Sequence, residues 1–374
     1  MNKKNIFLIF SLAVIATIIV LYPKNQSINL DKAEDISHKF TVQKTQEHIS
    51  NNIKTQEYQL PIPEGGEIGD QTVYGNHVYY IVLYMKEMSN FAQKAEIYQY
   101  NIVNKDYKLI FEYKNLNYDI YVNELRANEN YLFWENFDPQ NNWSLNKFNL
   151  STNEVEPIIT SKDTDSKILP SIEVTNKYLA WYEYVNKKAY LMIYSIEKNE
   201  IKVIDKNIHL ESPYDRAYIR NNKITYLTID NKNKYINIYN LDENKNKVLN
   251  ISKNIEIKNV LSNDNFTVWH EDYGMSNVYV YDHRLKKLYL INSKRNGHNI
   301  FAINLCKNYI FINDSKKSNI FCFDINNKKK TNLTKKLNND KNLYTLTTVS
   351  ADNKFIAQNT TIEGILSLIV TIKK

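Results

Sequence analysis

One pattern of apolar and polar positions recurs along most of this chain. Each copy has a short polar turn followed by an apolar phrase that often contains tryptophan, and successive copies begin 42 to 53 residues apart. The seven copies are Val78–Ile81, Tyr131–Trp134, Tyr178–Trp181, Ile224–Leu227, Phe266–Trp269, Tyr309–Ile312 and Phe355–Gln358. A repeat of this period predicts stacked copies of one unit, because a single unit cannot bury its apolar faces alone.

A second phrase, in which apolar and polar residues alternate, follows the first one after a turn. Examples are Glu96–Tyr100 and Ala189–Tyr194, and shorter segments such as Ile201–Ile204 and Ser171–Val174 complete the repeat. Alternation with period two and many β-branched and aromatic residues indicate strands. Four antiparallel strands per repeat are typical of a propeller blade, so we predict an all-β, seven-bladed β-propeller over residues 56–374. If the weakest copy, at Phe355, is not a blade, the count is six.

The two ends of the repeat region predict how the ring closes. The last repeat stops after Ile365–Val370 and lacks an outermost strand, while Glu57–Ile62 reads as a strand outside any repeat. We expect these two segments to pair and complete the last blade. Pro61 has no N–H, which suits the exposed edge of an outermost strand.

The segment Val349–Ala357 reads V-S-A-D-N-K-F-I-A and resembles the turn and strand of the TolB-type (PD40-like) β-propeller repeat family. Asn353 stands where that family usually has glycine, and asparagine also tolerates positive φ. The resemblance implies a propeller used for binding or scaffolding and carries no catalytic residue across. The prolyl-oligopeptidase class places a hydrolase domain beside such a propeller, but this sequence contains no G-x-S-x-G motif. It also contains no P-loop and no zinc-binding H-E-x-x-H motif.

The N-terminus predicts the location of the protein. Lys3 and Lys4 precede the uncharged run Ile6–Tyr22, which is just long enough to span a bilayer as one helix. We therefore interpret residues 1–23 as a signal-anchor with a cytoplasmic N-terminus, so that the propeller is displayed outside the cell membrane. A cleaved signal peptide and a secreted protein are the alternative. Residues 24–55 are mostly polar, and we expect a loose helix or a disordered stalk that holds the body off the membrane.

The charge pattern argues against one class of partner, and the positions of the two cysteines argue against a disulfide. The net charge is +7, but the lysines are scattered through turns rather than concentrated on one element, so we expect no nucleic-acid partner. Cys306 and Cys322 lie in one repeat and are expected out of register for a disulfide, as small buried hydrophobic residues. No motif calls for a metal or cofactor, and we expect a monomeric propeller.

The candidate ligand-binding residues lie in loops that follow the first phrases. A polar cluster in the fifth repeat contains a histidine beside two carboxylates, which could bind a metal or transfer protons. Comparable loops place further acids on the same rim of the axial channel. The candidates are His270, Glu271, Asp272, Tyr273, Glu135, Asp138 and Glu183. Consecutive side chains alternate in direction, so turn formation and solvated charge are the competing interpretation of these residues.

Two hypotheses of function follow. The first is a non-catalytic binding or scaffold propeller that recognises a protein, a peptide or an envelope polymer. The alternative is a propeller lyase or hydrolase with an axial metal or acid–base pair around His270 and Glu271. The recurring tryptophans could form a stacking platform for sugars, but their repeated position favours packing between blades.

Overall fold

The computed structural model describes residues 26–43, 53–85, 91–113, 119–140, 142–161, 170–185, 188–208, 216–230, 233–251, 255–271, 274–314, 319–334, 344–346, 352, 354–361 and 364–372. Strands dominate these ranges, which confirms the all-β class. The segment interpreted as a signal-anchor, residues 1–23, lies outside the described residues. Within the described ranges, no helix has the length and apolar character needed to cross a membrane.

Four N-terminal strands precede the repeats. They are β1 (Gln26–Ile28), β2 (Glu34–Asp35), β3 (Thr41–Gln43) and β4 (Ile53–Gln59). Two short 3-10 turns, Leu30–Lys32 and Ser37–Lys39, lie between β1, β2 and β3.

The remaining strands form the body of seven sheets, which we number in chain order. Sheet 1 contains β5 (Glu67–Tyr74), β6 (His77–Met85), β7 (Ala92–Asn101) and β8 (Tyr107–Tyr113). Sheet 2 contains β9 (Tyr121–Ala127), β10 (Tyr131–Phe137), β11 (Trp143–Asn149) and β12 (Val155–Thr160). Sheet 3 contains β13 (Glu173–Val174), β14 (Tyr178–Val185), β15 (Lys188–Ser195) and β16 (Glu200–Ile208).

Sheets 4 to 7 repeat this arrangement with additions from the N-terminal strands. Sheet 4 contains β17 (Tyr218–Arg220), β18 (Lys223–Asp230), β19 (Asn233–Asn240) and β20 (Lys245–Ile251). Sheet 5 contains β21 (Ile257–Ser262), β22 (Phe266–Glu271), β24 (Val278–Asp282) and β25 (Lys287–Asn292), while β23 (Gly274–Met275) pairs with sheet 6. Sheet 6 contains β26 (Asn299–Cys306), β27 (Tyr309–Asp314), β28 (Asn319–Asp324) and β29 (Lys329–Asn332). Sheet 7 contains β30 (Tyr344–Leu346), β31 (Lys354–Thr361), β32 (Gly364–Ile372) and β4.

Each of the seven recurring phrases lies in the second strand of a different sheet. These strands are β6, β10, β14, β18, β22, β27 and β31. The phrases are apolar on both faces because the second strand is covered by a neighbouring sheet on each side. Trp134, Trp181 and Trp269 are fully buried, each in a separate apolar cluster formed by two successive sheets. Packing between sheets is therefore their role, as the repeated position predicted.

The first strands of the sheets contact one another in chain order, and the ends of this series also meet. Contacts join β5 to β9, β9 to β13, β13 to β17, β17 to β21, β21 to β26 and β26 to β30, and β31 returns to β5. The turns after the first strands are also linked between sheets. The carboxylate of Asp352 in sheet 7 accepts a hydrogen bond from the N–H of Gly75 in sheet 1 at 2.9 Å. Asn128 and Asn263 make similar bonds to the next sheet along the chain.

The predicted pairing of the N-terminal strand with the last repeat is confirmed. β4 runs antiparallel to β32, from Ile53 opposite Ile372 to Gln59 opposite Leu366. The strand begins three residues before the start of the predicted propeller region and ends before Pro61. The carbonyl of Pro61 instead accepts a hydrogen bond from the Tyr80 hydroxyl at 2.8 Å, which ties the end of sheet 7 to sheet 1.

Residues Gln26–Gln43, which we call the belt, correct the expectation of a free stalk. β1 pairs in parallel with β20, β2 with β25 and β3 with β29, so the belt adds an outermost strand to sheets 4, 5 and 6 in turn. Backbone pairing to open sheet edges satisfies groups that would otherwise face solvent.

The sparse apolar residues of the belt explain why it is not a stalk. Ile28 and Leu30 are buried in the cluster between sheets 4 and 5, and Ile36 and Phe40 in the cluster between sheets 5 and 6. Each buried side chain of this size contributes about 1.5–3 kcal/mol of burial free energy. Their wide spacing resembles a linker in the sequence, but it matches the step from one sheet to the next.

The two cysteines are buried and unbonded to each other. They lie on β26 and β28, which flank β27, and they belong to one apolar cluster. Burial raises the pKa of the Cys306 thiol to about 11 and raises that of Cys322 well above its ordinary value. Both act as small buried hydrophobic residues, as expected.

Candidate functional site

Among the described first strands, β5, β9, β21 and β26 carry a β-bulge, and the first three bulges lie at the same position relative to the recurring phrase. The register shifts between Ile68 and Gln71 on β5, and also where β9 pairs with β10 and where β21 pairs with β22. Asp70, Glu124 and Asn259 occupy these bulges, and the last two have positive φ angles of 55° and 48°. A bulge changes the direction of its side chains relative to the regular pleat, so it can aim a polar group out of the packed sheet.

The bulge residues of sheets 1 and 2 are joined by one arginine. Arg126 Nη2 lies 2.5 Å from Glu124 Oε2, and its Nη1 lies 3.4 Å from Asp70 Oδ2. Asp70 also accepts hydrogen bonds from the backbone N–H groups of Gln71 and Leu125, both at 2.8 Å. Backbone donors and a guanidinium therefore hold Asp70 in one position between two sheets.

Arg216 connects this group to a sheet that is not its neighbour. Its Nη2 lies 2.5 Å from Glu124 Oε1 and its Nη1 lies 3.3 Å from Oε2, in the bidentate geometry that favours arginine. Glu124 belongs to sheet 2, and Arg216 lies two residues before the first strand of sheet 4. Side chains of sheets 2 and 4 can meet only where the first strands converge. We call Asp70, Glu124, Arg126, Glu135 and Arg216 the axial cluster.

Glu135 is the acid of the axial cluster that is most enclosed. It lies on β10 opposite Asn123 and is 1% exposed, and its Oε2 has no hydrogen-bond partner among the described residues. Burial raises its pKa well above the ordinary value, and the nearby charge of Glu124 raises it further. A protonated Glu135 leaves Asp70 and Glu124 as the negative charges that face Arg126 and Arg216.

The polar contacts continue around the ring on both sides of Arg216. Arg220 Nη1 lies 3.1 Å from Glu173 Oε2, which joins sheet 4 to sheet 3. The Tyr218 hydroxyl donates to Asn259 Oδ1 at 2.7 Å, which joins sheet 4 to sheet 5. Polar side-chain contacts of this kind thus link the first strands of five successive sheets, from sheet 1 to sheet 5.

Two members of the axial cluster remain accessible. The side chain of Asp70 is 20% exposed and that of Arg216 is 27% exposed, whereas Glu124 and Arg126 are below 10%. Burial raises the pKa of Asp70, and Arg126 partly offsets that effect. Asp70 therefore presents an acid and Arg216 a permanent positive charge to a ligand. Their ion pairs with Arg126 and Glu124 keep the two side chains apart.

The candidate residues of the fifth repeat do not form one site. His270 is fully buried, and its Nε2 lies 2.8 Å from Asn259 Nδ2. Glu271 points to the other side of the strand, where its carboxylate accepts hydrogen bonds from Tyr279 and Asn277. The alternation of side chains along β22 thus separates the histidine from the acid beside it. Asp272 and Tyr273 lie outside the described residues.

The remaining candidates also have separate environments. Asp138 forms a turn, because its carboxylate accepts hydrogen bonds from the backbone N–H groups of Gln140 and Asn142 at 2.9 Å. Glu183 is half-buried on β14 opposite Tyr190, and burial raises its pKa. Of the seven candidates, Glu135 alone belongs to the axial cluster, while His270 contacts the bulge residue Asn259 of sheet 5.

Sequence reasoning missed Asp70, Glu124, Arg126 and Arg216. Each precedes a recognisable phrase, where a charged residue resembles an ordinary turn residue. One signal was available: the chain has only five arginines among 48 basic residues, and three of them, including Arg220, are in or next to first strands. Arginine at such a position indicates bidentate pairing that lysine cannot reproduce. In the part of the chain that is described, no group of three His, Cys, Asp or Glu side chains is arranged to hold a metal ion.

Comparison with known proteins supports the fold. No protein-family model matches the chain, and no curated protein matches it. The β-propeller domain of the trilobed protease from Pyrococcus furiosus is similar over 82% of this chain and 93% of that chain, with a TM-score of 0.59 and 13% identity. Acylaminoacyl peptidase from Pyrococcus horikoshii is similar over 79% of this chain, with a TM-score of 0.56 and 12% identity.

The match to the acylaminoacyl peptidase from Pyrococcus horikoshii covers 49% of the length of that enzyme. YCF48 bound to D1 peptide is similar over 86% of this chain and 97% of that chain, with a TM-score of 0.51 and 9% identity. At these identities the likeness shows the fold alone. The chain has a β-propeller fold, with a buried polar network where its first strands converge.

Proposed function

We propose that this chain is a seven-bladed β-propeller, displayed outside the cytoplasmic membrane, that binds a protein segment at the axial cluster without catalysing a reaction. The seven sheets support the blade count, because each contains one recurring phrase and sheet 7 contacts sheet 1. We also propose that the repeats are related to the TolB type. Support comes from Asp352 of the D-N-K turn, whose carboxylate bonds to sheet 1 and to Lys354.

The observation that carries the proposed binding is the pair of accessible, opposite charges on Asp70 and Arg216. A protein segment offers matching groups for both, such as a carboxylate for the guanidinium and an amide or ammonium donor for the acid. The ion pairs with Arg126 and Glu124 hold the two groups in place before a ligand arrives, which reduces the entropy cost of binding. YCF48 was seen with a bound peptide on the same fold, which makes a peptide or protein ligand a reasonable expectation here.

The lyase or hydrolase alternative requires an acid or base that touches a substrate. Glu135 has the raised pKa of a general acid but is 1% exposed, and Glu124 is almost as enclosed. His270 and Glu271, the pair on which this alternative depended, lie on opposite sides of β22. This geometry favours a binding role for the accessible charges.

A site-specific photo-crosslinking experiment tests the proposal. A photoreactive residue at Asn123, beside the axial cluster, should form a crosslink to a protein partner in intact cells, whereas one at Val203 on an outer strand should not. Arg216→Gln should abolish the crosslink, because it removes the positive charge that faces the ligand. The fold should persist, because Glu124 keeps Arg126 as its partner. Arg295→Gln is the matched control, since this arginine is exposed and distant from the cluster.

Equal crosslinking from both positions, or from the wild type and Arg216→Gln, would contradict the proposed site. The catalytic alternative would gain support if the purified chain turned over a peptide or polysaccharide and Glu135→Gln abolished that activity without a change in melting temperature.

A further inference from the structure

A surface rich in lysine lies at the outer edge of sheets 4 and 5. Lys223, Lys245 and Lys247 line a cavity of about 350 Å³. Lys286 and Lys287 line a second cavity of about 610 Å³, whose other wall is the belt from Gln26 to Glu34 and includes the carboxylate of Glu34. We call these five lysines the basic edge.

The basic edge carries more positive than negative charge. Lys223 pairs with Asp264, and Lys245 with Glu243 at 3.4 Å, whereas the ammonium of Lys247 contacts the imidazole of His283 at 2.8 Å. Burial lowers the pKa of Lys247, and the charges of Lys223 and Lys286 lower it further. Burial and the charges of Lys247 and Lys223 lower the pKa of His283 to about 4, so this ring is neutral at neutral pH. A bound anion would relieve the repulsion among these lysines.

An exposed leucine stands within this positive surface. Leu285 is 58% exposed at the turn between β24 and β25, directly between Arg284 and Lys286. The other strongly exposed large apolar residues of the described chain lie on sheets 1 to 3; they are Val103, Tyr107, Leu109, Val155, Ile201 and Val203. An apolar side chain flanked by cations has the composition of a segment that enters the interface of an anionic membrane.

The belt brings the basic edge close to the predicted membrane span. The apolar run ends at Tyr22 and β1 begins at Gln26, so the connection covers at most about 14 Å even when it is fully extended. β1 runs parallel to β20 from Gln26, opposite Leu249, towards Ile251. The chain therefore enters sheet 4 from the side on which β20 begins, at Lys245. The headgroup layer on each side of a bilayer is about 5–8 Å thick, so a propeller tethered this closely lies against it.

We infer that the basic edge docks on the surface of the membrane, where anionic lipid headgroups occupy the lysine-lined cavities and Leu285 enters the interface. This inference rests on the retained anchor of the proposed function. In this arrangement the propeller lies against the bilayer, whereas a stalk would hold it away from the bilayer. Arg216 of the axial cluster lies before the first strand of sheet 4, whereas Lys223 and Lys245 lie next to the turns at the opposite end of that sheet. Docking through the basic edge therefore leaves Arg216 on the side away from the membrane.

Fluorescence quenching with the full chain tests the docking. Leu285→Cys and the matched control Val203→Cys each add one accessible thiol, because both native cysteines are buried. Each labelled protein is reconstituted in phosphatidylcholine vesicles that contain about 25% phosphatidylglycerol and a spin-labelled headgroup lipid. We expect several-fold stronger quenching of the label at position 285. Replacing one lysine of the basic edge by glutamine should lower the ratio of docked to undocked protein about fivefold. Vesicles of pure phosphatidylcholine, which carry no anionic lipid, should lower this ratio further.

Membrane fractionation and the intact mass of the same protein separate the two proposals. If the intact chain is in the membrane but positions 285 and 203 are quenched equally, docking is wrong and membrane display stands. If the intact chain is absent from the membrane, both are wrong, because the short tether no longer exists. Quenching at position 285 that does not change when Lys247, Lys286 and Lys287 are replaced would also overturn docking through the basic edge.

Discussion

Replacing Phe40 by alanine should release the belt from the propeller edge. Phe40 is 7% exposed, and its ring meets that of Phe323 edge-on, with a centroid distance of 5.1 Å. Removal of a buried phenylalanine side chain costs about 3–5 kcal/mol. Since Phe40 lies near the surface, where neighbours can partly close the gap, we expect the lower end, about 3 kcal/mol. The change should act mainly on the belt, because among its described side chains only Ile36 would then remain in the apolar cluster between sheets 5 and 6.

Amide hydrogen exchange measures this local effect. The N–H of Thr41 donates to the carbonyl of Lys328 at 3.0 Å, so its protection reports whether β3 is attached. A local loss of about 3 kcal/mol should increase its exchange rate about a hundredfold. Tyr107→Ala is the control, since this aromatic residue is 49% exposed on the outer strand of sheet 1, where the change should cost at most about 1 kcal/mol. If Phe40→Ala leaves the protection of Thr41 unchanged, the belt is not held by its apolar side chains.

Three further predictions concern buried groups. Arg126→Met should destabilise the chain by about 3 kcal/mol in urea unfolding, because the buried Glu124 and the partly exposed Asp70 lose their shared cation, and a loss below 1 kcal/mol would contradict this ion pairing. Because the folded state raises the pKa of Glu135 above its ordinary value of 4.5, wild-type stability should fall as pH rises from that value towards the raised pKa. Glu135→Gln should flatten this dependence, and an unchanged pH profile would argue against a protonated Glu135. The two native thiols should resist maleimide until the chain is unfolded, and rapid labelling of the folded protein would show that they are accessible.

The propeller body could be predicted because its information is local. The alternation at Ala189–Tyr194 and the apolar phrase at Phe266–Trp269 each specify a strand from a few consecutive residues, and their spacing specifies the repeat. The pairing of β4 with β32 could also be predicted, because an incomplete last repeat and an unassigned strand were both visible.

The belt and the axial cluster depend on contacts between residues that are distant along the chain. The apolar residues of the belt, Ile28, Ile36 and Phe40, are spaced as widely as in a polar linker. The structure shows that this spacing matches the boundaries between sheets 4, 5 and 6, where these side chains are buried. Glu124 and Arg216 are 92 positions apart and belong to sheets that are not neighbours. The sequence alone determined which residues of the repeats form strands and how often the unit repeats, since local patterning controls both. Only the tertiary structure decided which of these charges meet, because their convergence depends on how the first strands of the sheets are arranged around one another.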